Sequence, residues 1–88
     1  EVYKLIADAY FDSKQNNYAE KYYKAAVYMI PNRIISRKNL LDFYISTNQQ
    51  EKAIFWAQSI IKMKIKIPSP VTNNIQQQTK SILKDLGK

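Results

Sequence analysis

The chain contains no cysteine and no histidine, and its single glycine stands at position 87 of 88. Without cysteine there is no disulfide and no thiolate nucleophile. Without histidine the usual zinc ligands and the Ser-His and Cys-His nucleophile systems are missing too. One glycine so near the end leaves no loop that cradles phosphate through close backbone approach. Long apolar runs are also lacking: the longest, Ala25 to Ile30, falls far short of the roughly 20 residues of a membrane-spanning helix. No catalytic residue, metal or cofactor is therefore expected. Acidic residues are few, seven against 14 Lys and Arg, for a net charge of +7.

What is present is a repeat. Tyr10 and Ala19 stand nine apart, Tyr44 and Ala53 stand nine apart, and the two pairs are shifted by 34 residues. Ile6 falls into step with Leu40, Tyr3-Lys4 with Arg37-Lys38, and Asp8 with Asp42. Apolar residues at Leu5, Ile6, Ala9 and Tyr10 keep the three-and-four spacing of one helical face. Ala19, Tyr22, Tyr23, Ala26, Val27 and Ile30 repeat that spacing on a second helix. Small residues at Ala7, Ala19 and Ala26 let the two helices approach closely, with the rings of Tyr10 and Tyr23 filling the space beside them. Pro31 cannot continue a helix and Asn32 suits an N-cap. Leu40, Leu41, Tyr44 and Ile45 predict a third helix; Ala53, Trp56, Ala57, Ile60 and Ile61 predict a fourth, with Asn48 as the left-handed residue of the turn between them. Ser69 as N-cap and Pro70 at the first helical position open a fifth, whose stripe is Val71, Ile75, Ile82, Leu83 and Leu86.

The period and the residues Tyr3, Ile6, Ala7, Tyr10, Ala19, Tyr23, Ala26 and Pro31 resemble the tetratricopeptide repeat. The second copy keeps Leu40, Tyr44 and Ala53 and departs at Leu41, Ala57 and Ile60, with its proline displaced to Pro68. The resemblance implies an all-α domain of antiparallel helix-turn-helix repeats, a right-handed α-solenoid segment. Repeat 1 is residues 1–32, repeat 2 residues 33–66, and a capping helix spans 69–87 within a single domain, 1–88. Because the chain begins on Glu1 inside the first helix, it reads as the C-terminal segment of a longer protein whose remainder precedes it.

In that family the inner helix of each repeat lines a concave groove for extended protein or peptide ligands. Carried over by position, the groove is Lys4, Asp8, Phe11 and Asp12 in repeat 1 and Ile35, Lys38, Asp42 and Ile45 in repeat 2. Members that hold a C-terminal carboxylate use asparagine where this chain has Asp8 and Asp42, and an aspartate there repels such a ligand. Each of these aspartates also follows a lysine by four residues, Lys4 and Lys38, a solvated helix pair worth roughly a few tenths of a kcal/mol. That ordinary role is preferred to a catalytic carboxylate pair.

Residues 1–32 carry no net charge, and residues 33–88 carry all +7. Arg33, Arg37, Lys38, Lys62, Lys64 and Lys66 form a candidate basic surface, for which an anionic membrane surface is one partner and a solvated face the plain alternative. Nucleic acid is disfavoured: most of the seven tyrosines and Trp56 are expected in core slots where they cannot stack on bases. A narrower resemblance joins Tyr22 to Lys24, Met29 to Arg33 and Lys64 to Ser69 to the soluble C-terminal tail of Bacteroides-type O-antigen ligase or polymerase membrane proteins. It implies a bacterial scaffolding module for surface-polysaccharide assembly, membrane-associated through its parent, on either side of the membrane. Two alternatives stay open, a structural cap of a longer repeat array and a basic RNA-binding repeat domain.

Overall fold

The computed structural model describes residues 2–64 and 69–87. Lys66, Pro68 and the end of the second repeat lie outside the described residues. Five helices follow in order: α1 Val2–Asp12, α2 Asn16–Met29, α3 Ile34–Ser46, α4 Gln50–Ile61 and α5 Pro70–Leu86. Each packs on its neighbour in sequence, and α5 also reaches α3. The result is a slab of 34 × 31 × 18 Å. Its 6044 Å² of accessible surface exceeds the about 5,400 Å² expected of a compact protein of this mass, because helices laid side by side leave both broad faces open.

The two hairpins share one turn. Lys14 and Asn48 both have positive φ, 64° and 59°, and they stand 34 residues apart. Gln15 N–H donates to the Tyr10 carbonyl at 2.8 Å and Gln49 N–H to the Tyr44 carbonyl at 2.9 Å. Ser13 and Thr47 each return their hydroxyl to two carbonyls of the preceding helix, and Gln15 and Gln49 each donate an amide to that hydroxyl. The left-handed residue expected at Asn48 is observed; its equivalent at Lys14 went unpredicted.

Core slots are filled differently in the two hairpins. Ala19 and Ala53 are fully buried at the same position. Where the first hairpin places Ala7, Tyr23 and Ala26, the second places Leu41, Ala57 and Ile60, all fully buried. A larger residue at two slots offsets a smaller one at the third, keeping the close packing that a core requires. Helix α3 is central and buries Ile34, Ser36, Leu40, Leu41, Phe43 and Tyr44, so it shows several buried faces instead of one stripe. Ser36 Oγ is buried without a hydrogen-bond partner.

Three local expectations need correction. Arg33, not Asn32, occupies the N-cap of α3, and no side chain caps it. In α5 the Ser69 cap forms, its hydroxyl accepting from Thr72 N–H at 3.1 Å, and Ile75, Leu83 and Leu86 of the expected stripe pack on the core, but the stripe differs at two positions. Val71 is exposed and Thr79 is fully buried. Thr79 escapes the usual penalty because its hydroxyl donates to the Ile75 carbonyl at 2.6 Å. Gln76, partly buried, donates to the carbonyls of Ile60 and Met63 at the end of α4. The apolar face of α1 is also wider than α2 can cover. Ala7 is buried and Tyr10 packs on the core, while Val2, Leu5 and Ala9 stay exposed.

Candidate functional site

A cleft of about 210 Å³ opens between the first hairpin and α3, lined by Lys4, Asp8, Phe11, Tyr23, Asn39, Asp42, Phe43 and Ser46. Its floor is aromatic. Phe11 meets Phe43 edge-on with ring centroids 5.6 Å apart, and Tyr23 tilts against Phe43 at 5.3 Å. Geometries of this kind are favoured by the ring quadrupoles and fix the floor rigidly.

The rim is polar. Lys4 Nζ donates to Asp8 Oδ2 at 2.7 Å, and the Tyr23 hydroxyl donates to Asp8 Oδ1. Partial burial pulls the Asp8 carboxyl up, but the hydrogen bonds from Lys4 and Tyr23, with the charge of Lys4, outweigh it and hold the group below the usual carboxylate range. Tyr23 is displaced the other way. Burial raises its hydroxyl first, and the negative charges of Asp8, Asp12 and Asp42 raise it further. Lys38 pairs with Asp42 at 2.7 Å, leaving the carboxylate side chain 53% exposed and the lysine 17%. The rim thus presents two lysine-paired carboxylates, Asp42 the more exposed and Asp8 also bound by the Tyr23 hydroxyl.

Of the eight groove residues read from the sequence, Lys4, Asp8, Phe11 and Asp42 meet in this cleft. Lys38 reaches its edge through Asp42. Asp12 acts on it only through its charge. Ile35 is exposed at the start of α3, away from the cleft. Ile45 faces a separate depression with Tyr44, Asn48, Gln49, Gln50, Asp85 and Leu86. The last placement has a simple cause: Ile45 is the repeat equivalent of Phe11, and as Phe11 packs toward α3, Ile45 packs toward α5. Sequence reasoning missed Tyr23, assigned to the core alone, and Asn39, Phe43 and Ser46. Ser46 stands 34 residues after Asp12, and that shift was the signal available for it.

The basic surface divides. Arg37 is committed, with Nη2 and Nε donating to the Pro31 carbonyl at 2.8 and 3.2 Å and Nη1 to Ser59 Oγ. It ties the α2–α3 turn to α4. Lys38 belongs to the cleft instead. Arg33, Lys62 and Lys64 are exposed, and Lys66 lies outside the described residues. Among the rings, Tyr23 and Tyr44 are buried and Tyr10, Tyr22 and Trp56 pack against the core, whereas Tyr18 and Tyr28 are exposed.

A cluster across the hairpins was not legible in advance. Glu20 accepts from the Tyr44 hydroxyl at 2.6 Å and from Lys52 at 3.3 Å, with Lys24 at 3.5 Å. Burial raises the Glu20 carboxyl, and these donors more than reverse it, so it too lies below its usual range. The cluster joins α2 to both helices of the second hairpin. Among the described residues no group of three or more His, Cys, Asp or Glu is placed to hold a metal ion, and no helix is long and apolar enough to cross a membrane. Comparison of the chain with protein-family models, with curated proteins and with solved structures found no match in any of the three.

Proposed function

We propose that the chain is a non-catalytic protein-interaction module of helical repeats, holding an extended peptide segment across α1 and α3. The observation that carries this reading is the convergence of Asp8, Asn39 and Asp42 over the floor of Phe11, Tyr23 and Phe43. Concave sites with an apolar base and a few placed polar groups are the common form of a ligand pocket. The charge pattern selects among peptides. Asp8, Asp12 and Asp42 outnumber Lys4 and Lys38 around the Tyr23 hydroxyl, so a neutral or cationic side chain fits and a terminal carboxylate does not. The tetratricopeptide resemblance supports the same use of this surface. The resemblance to O-antigen ligase or polymerase tails would make the partner a component of surface-polysaccharide assembly.

Random-peptide display panned against the chain tests the reading. Enriched sequences should carry Lys, Arg or neutral polar residues, should bind equally with an amidated C-terminus, and should lose binding to Asn39→Trp, which fills the cleft. Enrichment that Asn39→Trp does not touch, or that requires a free carboxylate, removes it.

A second reading has its own observation. Val2, Leu5 and Ala9 are exposed on α1, whereas of their repeat equivalents Ser36, Asn39 and Phe43 the first is buried and the other two line the cleft against the first hairpin. An uncovered α1 face of this register fits another helical hairpin, making the chain the closing unit of a longer stack. The polar outer face of α5, with Asn73, Asn74, Gln77, Gln78 and Lys80 exposed, suits its far end.

A further inference from the structure

The connections bring one end of each helix to the same edge of the slab: the starts of α1, α3 and α5 and the ends of α2 and α4. Contacts agree with this, since Arg37 joins the Pro31 turn to Ser59 near the end of α4 and Gln76 joins α5 to Met63. That edge comprises residues 2–5, 26–37, 58–64 and 69–73. Among the described residues it contains no carboxylate, and it contains Lys4, Arg33, Arg37, Lys62 and Lys64. The opposite edge is balanced, with Asp12, Glu51 and Asp85 against Lys14, Lys52 and Lys84.

The same cationic edge carries most of the exposed apolar side chains. Tyr28, Met29 and Ile30 are 66%, 67% and 50% exposed at the α2–α3 turn, Ile35 is 45% exposed one turn on, and Val71 is 57% exposed at the start of α5. On the rest of the chain only Tyr18 and Phe55 are exposed large hydrophobics among the described residues. Of Tyr28, Met29, Ile30, Ile35 and Val71, only Tyr28 carries a ring on which a base could stack, and the other four offer none. A single-sign cationic surface with protruding apolar side chains matches the interfacial layer of an anionic bilayer, where lysines meet phosphates and apolar groups enter the headgroup boundary.

We propose that this edge seats the domain on an anionic lipid surface, with Met29 and Ile30 at the tip of the α2–α3 turn entering the headgroup layer while Lys62 and Lys64 meet lipid phosphates. The proposal shares only Lys4 with the cleft and rests on Met29, Ile30, Lys62 and Lys64, none of which lines it.

The test uses the whole chain with vesicles of phosphatidylcholine, with and without phosphatidylglycerol. Co-sedimentation should require phosphatidylglycerol and weaken as added salt shortens the screening length. The double substitution Lys62→Gln and Lys64→Gln should lower the partition coefficient by about 30-fold and flatten its salt dependence. Met29→Ser with Ile30→Ser should weaken binding while leaving the salt dependence in place. Because the chain has no native cysteine, Ile30→Cys can carry an environment-sensitive fluorophore. Its emission should shift to the blue on phosphatidylglycerol vesicles, and the same dye at Asn17→Cys on the opposite edge should not respond. Equal binding to both vesicle types, no binding to either, equal dye response at both positions, or displacement from vesicles by single-stranded RNA would each overturn the proposal.

Discussion

The two hairpins are one design executed with unequal closure. They share the turn at Ser13 to Gln15 and at Thr47 to Gln49, bond for bond, and each buries one alanine at the same helix crossing. Yet the second hairpin lies between the first and α5, and its slots Leu40, Leu41, Tyr44, Ala53, Ala57 and Ile60 are all fully covered. The first is covered on one side only. Its tyrosines form a half-open seam along α1 and α2, Tyr3 on Tyr22 at 6.2 Å, Tyr10 on Tyr22 at 5.6 Å and Tyr10 on Tyr18 at 5.1 Å. The difference teaches that register is set by the turn and the small residues, while burial is set by how many neighbours a hairpin has.

The largest effect that sharpens this contrast is overpacking at the equivalent alanines. Ala53→Leu should cost about 1–3 kcal/mol, and Ala19→Leu should cost less, because α1 has an open outer side onto which the crossing can relax. Each kcal/mol corresponds to about 4–8 °C in a domain of this size. Thermal melts of the two variants read the difference directly. Equal losses would mean that α5 adds no constraint to the second hairpin.

How much of this could be seen in the residues follows the same division. The five helices and the buried alanines were legible because helical periodicity and a repeated small residue are local signals. The α1 stripe was legible as apolar, but nothing local tells which half of it a neighbour covers. Thr79 was passed over in favour of Val71 because a threonine in a helix can satisfy its hydroxyl on the preceding turn, and that bond is invisible to a polarity count. In the cleft, Lys4, Asp8, Phe11 and Asp42 were reached through position in the repeat. Asn39 and Phe43 were not, since they come from the flank of α3 that meets the first hairpin. The Glu20 cluster joins residues 24 and 32 positions apart in sequence, Glu20 with Tyr44 and with Lys52, and no spacing rule connects them.

That cluster provides the next comparison. Tyr44 is fully buried with its hydroxyl on Glu20, whereas its equivalent Tyr10 lies in the half-open stacking seam. Tyr44→Phe should cost about 1.5–3 kcal/mol, the range for a hydrogen bond to a charged group; Tyr10→Phe should stay within about 0.5 kcal/mol. The pH dependence separates bonding from packing. A carboxyl held below its unfolded value, as at Glu20, contributes stability that is present above the ordinary Glu value near ~4.3 and is lost as pH falls through the folded value. The Tyr44 hydroxyl is raised, so its contribution is present below the ordinary value near ~10 and is lost as pH rises through the folded one. Urea denaturation of Tyr44→Phe should therefore lose less stability than the parent at both the acid and the alkaline ends. Parallel pH curves for the two would remove the Glu20–Tyr44 bond as a stabilising link.

The smallest effect lies in the one feature that the hairpins share most closely. Lys14 and Asn48 hold the same left-handed backbone, φ 64° and 59°, but with different side chains. A left-handed conformation costs most L-residues about 1–2 kcal/mol, and asparagine is among the few that adopt it routinely. Glycine removes that strain but adds flexibility to the unfolded chain worth up to about 1 kcal/mol. For Lys14→Gly the relief should exceed the loss, giving a stabilisation of about 0.5 kcal/mol, read as a higher urea midpoint. For Asn48→Gly the two should nearly cancel, because asparagine starts with little strain to release. If both substitutions stabilise equally, strain at the turn depends on backbone alone, and the residue difference between the two hairpins carries no energetic meaning. If Lys14→Gly destabilises, the first turn owes its form to contacts of the lysine side chain, and the two turns are alike only in outline.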